Sequence, residues 1–206
     1  MKKLLLGLLF IAAATISYSQ ELEFGVKAGL SSDKIKLDNL GTLDATVEGN
    51  TTYNFGAYGR VKILVIGLFV QPELIYNKRA SNISINDAGK TYTFSHSANY
   101  VDVPVLIGFK MLKLIRIYGG PNFQFLVGQK TDFPSDVPAF KKSDLNKSST
   151  GVQLGVGLDL LKFRVDAKYD FNASSMGTPF EYNGTAPTLK NGMITLQVGI
   201  KLFGIL

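Results

Sequence analysis

GVQLGVGLDL (residues 151–160) and, after Leu161 and Lys162, FRVDAKYDFN (residues 163–172) decide the architecture. In the first run Val152, Leu154, Val156, Leu158 and Leu160 share one parity, and Gly151, Gln153, Gly155, Gly157 and Asp159 the other. In the second, Phe163, Val165, Ala167, Tyr169 and Phe171 oppose Arg164, Asp166, Lys168, Asp170 and Asn172. Wound as a helix, such a pattern leaves no apolar face. Extended as a strand, it puts every apolar side chain on one side.

The same alternation recurs at 22–30, 55–63, 68–77, 100–109, 115–127 and 193–202. Together these runs predict eight strands, each long enough to cross a bilayer at a tilt near 45°. Long polar connections at 31–52, 79–98, 129–149 and 174–190 alternate with short ones at 64–66, 111–114 and 161–162. The fold class expected is therefore all-β, an antiparallel up-and-down barrel of eight strands with one elaborate rim and one plain rim. Pro72, Pro104 and Pro121 fall inside strands, where each removes a ladder donor, and are read as marks of bulges.

Composition narrows the chemistry. The 206 residues are 46% hydrophobic, with no cysteine and a single histidine. A disulfide framework, a thiolate metal site, a thiol nucleophile and a multi-histidine centre are excluded. No metal or cofactor is expected. Lys2 and Lys3 precede an uncharged, nearly all-apolar run at 4–16, then the small residues ending Ser17-Tyr18-Ser19-Gln20. This order is that of a secretory signal peptide, giving a domain division of 1–19 signal and 20–206 barrel. Thirteen residues rising 1.5 Å each fall short of a hydrocarbon core of about 30 Å, which argues against an anchor helix. Removing Lys2 and Lys3 lowers the net charge from +6 to +4, too modest a balance to imply nucleic acid as a partner.

The polar parity carries Glu23, Lys27, Arg60, Lys62, Glu73, Asp102, Arg116, Asp159, Arg164, Asp166, Lys168, Asp170 and Lys201. Near-balance of sign suits a narrow interior of paired ions, because a buried unpaired charge costs several kcal/mol. The apolar parity carries aromatic residues near strand ends, as the interfacial girdles of a membrane barrel do: Tyr53, Phe55, Tyr76, Tyr169 and Phe171 at the loop rim, and Phe24, Phe109 and Phe163 at the turn rim. With the export signal, this favours a membrane barrel over the alternative, a soluble periplasmic lipocalin-like barrel around a ligand.

Six pieces then resemble a family. Residues 25–30 (GVKAGL), 71–76 (QPELIY), 100–106 (YVDVPVL), 119–121 (GGP), 155–159 (GVGLD) and 198–202 (VGIKL) are similar, in this order, to the PorT-like, or porin-family, outer-membrane β-barrels of Gram-negative bacteria. The resemblance implies an eight-stranded outer-membrane barrel with prolines at these strand positions; it implies no single activity. Barrels of this kind usually finish on an aromatic residue read by the insertion machinery. Here Val198, Ile200 and Leu202 share the outer parity and Phe203 takes the opposite one, a departure expected to weaken that reading.

For function, His96 between Ser95 and Ser97 is the only histidine base. Neighbours in an extended chain point opposite ways, so it is read as a solvated loop residue and the protein as no enzyme. Asp159, Asp166 and Asp170 are read as ion-pair partners. A channel is the alternative, but eight strands enclose only side chains. The expected role is a structural or binding component of the envelope acting through long loops, with Phe133, Phe140, Lys141, Lys142, Phe180 and Tyr182 as loop contacts. The expected partners are outer-membrane lipid including lipopolysaccharide, the export and barrel-assembly machinery, and an envelope protein.

Overall fold

The computed structural model describes residues 20–38, 44–63, 67–87, 90–112, 114–132, 140–142, 146–172, 180–182 and 188–205. The predicted signal peptide at 1–19 and the loop contact Phe133 lie outside them.

Among the described residues eleven strands follow one another: β1 (Gln20–Asp38), β2 (Asp44–Gly49), β3 (Thr51–Ile63), β4 (Leu68–Asp87), β5 (Lys90–Met111), β6 (Ile115–Asp132), β7 (Phe140–Lys142), β8 (Ser148–Leu160), β9 (Phe163–Asn172), β10 (Phe180–Tyr182) and β11 (Thr188–Ile205). Eight of them, β1, β3, β4, β5, β6, β8, β9 and β11, pair antiparallel in chain order, and β11 returns to β1. The ring is closed, which removes the unpaired edges an open sheet would expose. β2 prolongs β3 past Asn50 and stays on β4, from Asp44↔Asn86 to Gly49↔Ser81. The Asn50 N–H donates to the Ala80 carbonyl at 3.0 Å and carries the ladder across the break.

The strands turn tightly at one rim. Leu112 and Leu161 take positive φ there (49° and 58°), a conformation uncommon outside glycine. The second turn is held from within: the Arg164 Nη1 donates to the carbonyls of Leu161 (3.0 Å) and Phe163 (2.9 Å).

At the other rim the wall stands taller than the sequence implied. β4 and β5 stay paired out to Asp87↔Lys90, so 79–87 and 90–98 are paired strands and not loop. The sequence from 79 to 98, RASNISINDAGKTYTFSHSA, carries polar residues on both parities and hides the period. Yet Ile83, Phe94 and Ala98 alternate inward and are buried. The outer parity is knit by small polar pairs, Ser84 to Thr93 at 3.1 Å and Ser95 to Asn82 at 3.0 Å. β1 likewise continues to Asp38 against β11, and β6 to Asp132 against β5. β7 and β10, from the connections 129–149 and 174–190, pair with each other, Phe180↔Lys142 to Tyr182↔Phe140.

The prolines do not mark bulges. The β3–β4, β4–β5 and β5–β6 registers run unshifted past Pro72, Pro104 and Pro121. Instead each proline falls in a short gap: Gly59 and Arg60 opposite 71–72, 73–74 opposite 103–104, and 105–106 opposite 120–121 lack a recorded pair. A missing N–H interrupts one ladder locally without adding a residue, so parity survives. The shifts in register lie elsewhere, at Asn99/Tyr100 against Leu126 and Gly128, and at Phe24/Gly25 against Phe203 and Lys201. The second corrects the reading of the C-terminal strand. Leu202 is the extra residue, and it flips the parity beyond it. Phe203 therefore faces outward, its ring centroid 5.1 Å from that of Phe24.

Candidate functional site

The distinctive chemistry lies inside the ring. Strand pleat sends alternate side chains inward, and the inward set is ionic from the turn rim to mid-barrel. At the rim Glu21 is shared by Lys62 (3.1 Å) and Lys201 (2.6 Å), both only partly buried. One step in, Glu23 accepts from Tyr58 Oη at 2.8 Å, Arg164 Nη2 at 3.0 Å, Lys62 Nζ at 2.7 Å and, more loosely, Arg60 Nη1 at 3.5 Å. Across the lumen Asp159 meets Arg116 Nε at 2.6 Å, Lys110 Nζ at 2.8 Å and Arg164 Nε at 3.1 Å. The next level centres on Asp166, bound by Arg116 Nη2 (2.9 Å) and Tyr118 Oη (2.8 Å), and on Glu73, clamped between Lys27 and Lys168 at 2.7 Å each. Highest are Asp102, contacted by Asn77 at 3.0 Å and Arg79 at 3.4 Å, and Asp170, contacted by Asn122 at 2.9 Å and Gln153 at 2.8 Å.

All thirteen residues read from the polar parity thus face inward, and every one of them is in ionic or hydrogen-bonding contact. Among the described residues the interior holds four more ionic residues, which the sequence reading missed. Glu21 and Lys110 lie just beyond the alternating runs that were read; Asp33 and Arg79 lie in segments read as loops. All four obey the parity of their strands, and extending that parity by one or two steps is the signal that finds them. The interior is not wholly polar: Phe69, Leu106 and Tyr118 form a buried cluster, with the Arg60 guanidinium 5.1 Å from the Phe69 ring. The lumen at these levels is filled by side chains.

Outside, the orientation is the reverse of a soluble barrel. Leu154 is 50% and Leu196 61% exposed, while Glu23 and Arg116 are fully buried. This overturns the lipocalin-like alternative, which needs its apolar side inside. Phe24, Tyr53, Phe55, Phe109, Phe163 and Phe171 stand on this outer face, and Tyr76 and Tyr169 half-expose there. Phe55 packs tilted against Tyr76 with ring centroids 5.2 Å apart, and Tyr169 meets Phe171 edge-on at 4.4 Å. Lys78 Nζ sits 5.7 Å from the Tyr53 ring centroid.

His96 is not a solvated loop residue. It lies in β5, buried within the tall hairpin, with Nδ1 2.9 Å from Thr131 Oγ1 of β6. Desolvation pushes its pKa down to about 4, so the ring is neutral at ordinary pH. Ser95 and Ser97 flank it on the opposite parity, and Ser95 donates to Asn82 instead. Of the loop contacts, Phe140, Lys141, Lys142, Phe180 and Tyr182 belong to β7 and β10; their backbones pair, and their side chains lie outside the described residues. Among the described residues no group of three or more His, Asp or Glu is placed to hold a metal ion.

Residues 18–176 match the family described as outer membrane protein beta-barrel domain. The chain belongs to that family. It is an outer-membrane protein, and the apolar wall described above is its lipid-facing surface. The barrel is similar to the attachment invasion locus protein Ail of Yersinia pestis, solved with the heparin analogue sucrose octasulfate (13% identity, 89% of this chain and 99% of that one, TM-score 0.47). It is also similar to OprG of Pseudomonas aeruginosa (11% identity, 89% and 95%, TM-score 0.49) and to Neisserial surface protein A (15% identity, 87% and 97%, TM-score 0.46). No curated protein matches the chain.

Proposed function

We propose that this barrel is a non-enzymatic structural or binding component of the outer membrane that works through its tall extracellular rim. The observation that carries the reading is the packed interior. Glu23, Arg60, Arg116 and Asp166 are each at most 1% exposed and bonded across the lumen, so at their level ion pairs occupy the axis, which speaks against a wide diffusion path. What remains for contact is the outer end: the hairpin of β4 and β5 with β2 beside it, and the β7–β10 connections. Lipopolysaccharide and an envelope protein are the partners proposed for that end, and the export and barrel-assembly machinery for biogenesis. The PorT-like branch of the family is proposed on the six ordered pieces. Residues 1–19 are proposed as the export signal; an intact mass of the membrane-extracted protein beginning at Gln20 supports this, and retention of Met1 overturns it.

Planar-bilayer recording tests the main reading. The expected trace is silent, whereas steady nanosiemens steps would establish a channel. Co-purification from native membranes in mild detergent identifies the partner, and its loss on truncating the tip of the β4–β5 hairpin is the expected control.

A further inference from the structure

Between the ionic lower half and the tall rim lies a cavity of about 10 Å³. That is room for one small particle. Four of the oxygens on its lining residues have no hydrogen-bond partner: Asn77 Oδ1, Asp102 Oδ1, Gln153 Oε1 and Gln197 Oε1. All four side chains belong to residues no more than 5% exposed. Turning an amide over does not convert an oxygen into a donor without loss, because each nitrogen is committed. Asn77 Nδ2 donates to Asp102 at 3.0 Å, Gln153 Nε2 to Asp170 at 2.8 Å and Gln197 Nε2 to Asn54 Oδ1 at 2.6 Å. Lys168 also lines the cavity, but its ammonium is bonded to Glu73 at 2.7 Å.

The charge at this level leans the same way. Asp170 is held by amides, and among the described residues no ion pair reaches it. Asp102 meets Arg79 at 3.4 Å. A buried acceptor left unmatched costs about 1–3 kcal/mol, and here four belong to residues that line one cavity. One water has two protons and satisfies two of them at most. A cation has no such limit, and hard cations take carboxylate and amide oxygens as ligands. Oxygen donors speak against a soft transition metal. A cavity of this size, beside an ammonium group, speaks for a single charge rather than two.

We propose that the barrel binds one monovalent cation of sodium's class between Asn77, Asp102, Gln153 and Gln197, tying β4 and β5 to β8 and β11 across the lumen. This is a structural ion at mid-barrel, independent of the extracellular contacts proposed above.

Thermal unfolding of the detergent-extracted barrel, followed by heat-dependent gel migration and circular dichroism, tests it in sodium chloride against choline chloride at equal ionic strength. The expected result is a Tm that rises with sodium and not with choline. Each tenfold increase in sodium above its dissociation constant should favour the folded state about tenfold. Asp102→Asn, nearly isosteric, should abolish the sodium response. Broadening of the sodium-23 resonance by the unaltered protein gives a second readout that needs no variant. Equal Tm values in the two salts, or a sodium response unchanged in Asp102→Asn, would overturn the proposal and leave ordered water as the occupant.

Discussion

Glu23 shows what a single inward residue does. One carboxylate gathers Tyr58, Arg60, Lys62 and Arg164 from β3 and β9. Glu23→Ala removes the shared acceptor and leaves buried cations unbalanced; the expected loss is about 3–5 kcal/mol, read from urea unfolding in detergent. Gly157 acts by omission. A Cβ there meets Asp166 Oδ1 and the Arg116 guanidinium, so the glycine is what lets that pair close across β8. Gly157→Val should cost about 1–3 kcal/mol by overpacking, while Val156→Ala, on the lipid side of the same strand, should cost less. His96 sets a pH dependence. The folded pKa is about 4 and the ordinary value 6.5, so between these the unfolded segment binds a proton that the folded one refuses. Its contribution is therefore complete above pH 6.5 and lost as the pH falls towards 4, by about 3 kcal/mol in all. Protection of β5 amides against hydrogen exchange should weaken as the pH falls through that window, and His96→Gln should flatten the response.

At the scale of the element, the β4–β5 hairpin is built differently from the strands below it. In the membrane, strands are held by neighbours on both sides and by lipid on one face. Above it, the hairpin relies on its inward Ile83, Phe94 and Ala98 and on small polar cross-strand bonds outside. Ile83→Asp should loosen the hairpin and leave the barrel intact: protease cleavage between 80 and 97 is expected to appear while the heat-dependent gel shift is unchanged. The hairpin escaped the sequence reading for a physical reason. Period-two alternation is legible only where one face is apolar and the other polar. Serines, threonines and asparagines suit a strand beside water on either parity, so RASNIS and TYTFSHS read as loop. The prolines taught the converse lesson: they interrupt ladders without shifting them, which leaves the run of alternating residues readable straight through 72, 104 and 121.

At the scale of the molecule, the barrel is stabilised from two sides that respond to different solvents. Leu154 and Leu196 stand in the outer band, where an arginine is expected to cost about 2–4 kcal/mol near the bilayer midplane. Leu154→Arg should therefore lower folding yield into lipid vesicles, with a smaller effect in detergent, whose micelle adapts around the charge. High salt should leave the interior pairs nearly untouched, since buried pairs are weakly screened. Thirteen ionic residues of the interior were legible from the alternating runs, and Glu21, Asp33, Arg79 and Lys110 were not, because they lie beyond those runs or in segments polar on both parities. The partners within the interior were not legible either: which carboxylate meets which cation depends on the strand tilt and ring closure that bring Glu73 of β4 between Lys27 of β1 and Lys168 of β9.

By itself the sequence determined the eight strands of the ring and the division of each into an apolar and a near-neutral ionic face, because alternation is a local property that no distant residue alters. Only the tertiary structure decided which face turns outward, the height of the extracellular wall, the outward turn of Phe203, the burial of His96 and the unpartnered oxygens around the mid-barrel cavity. These depend on ladder register and on closure of the ring, which are set between strands remote in the chain.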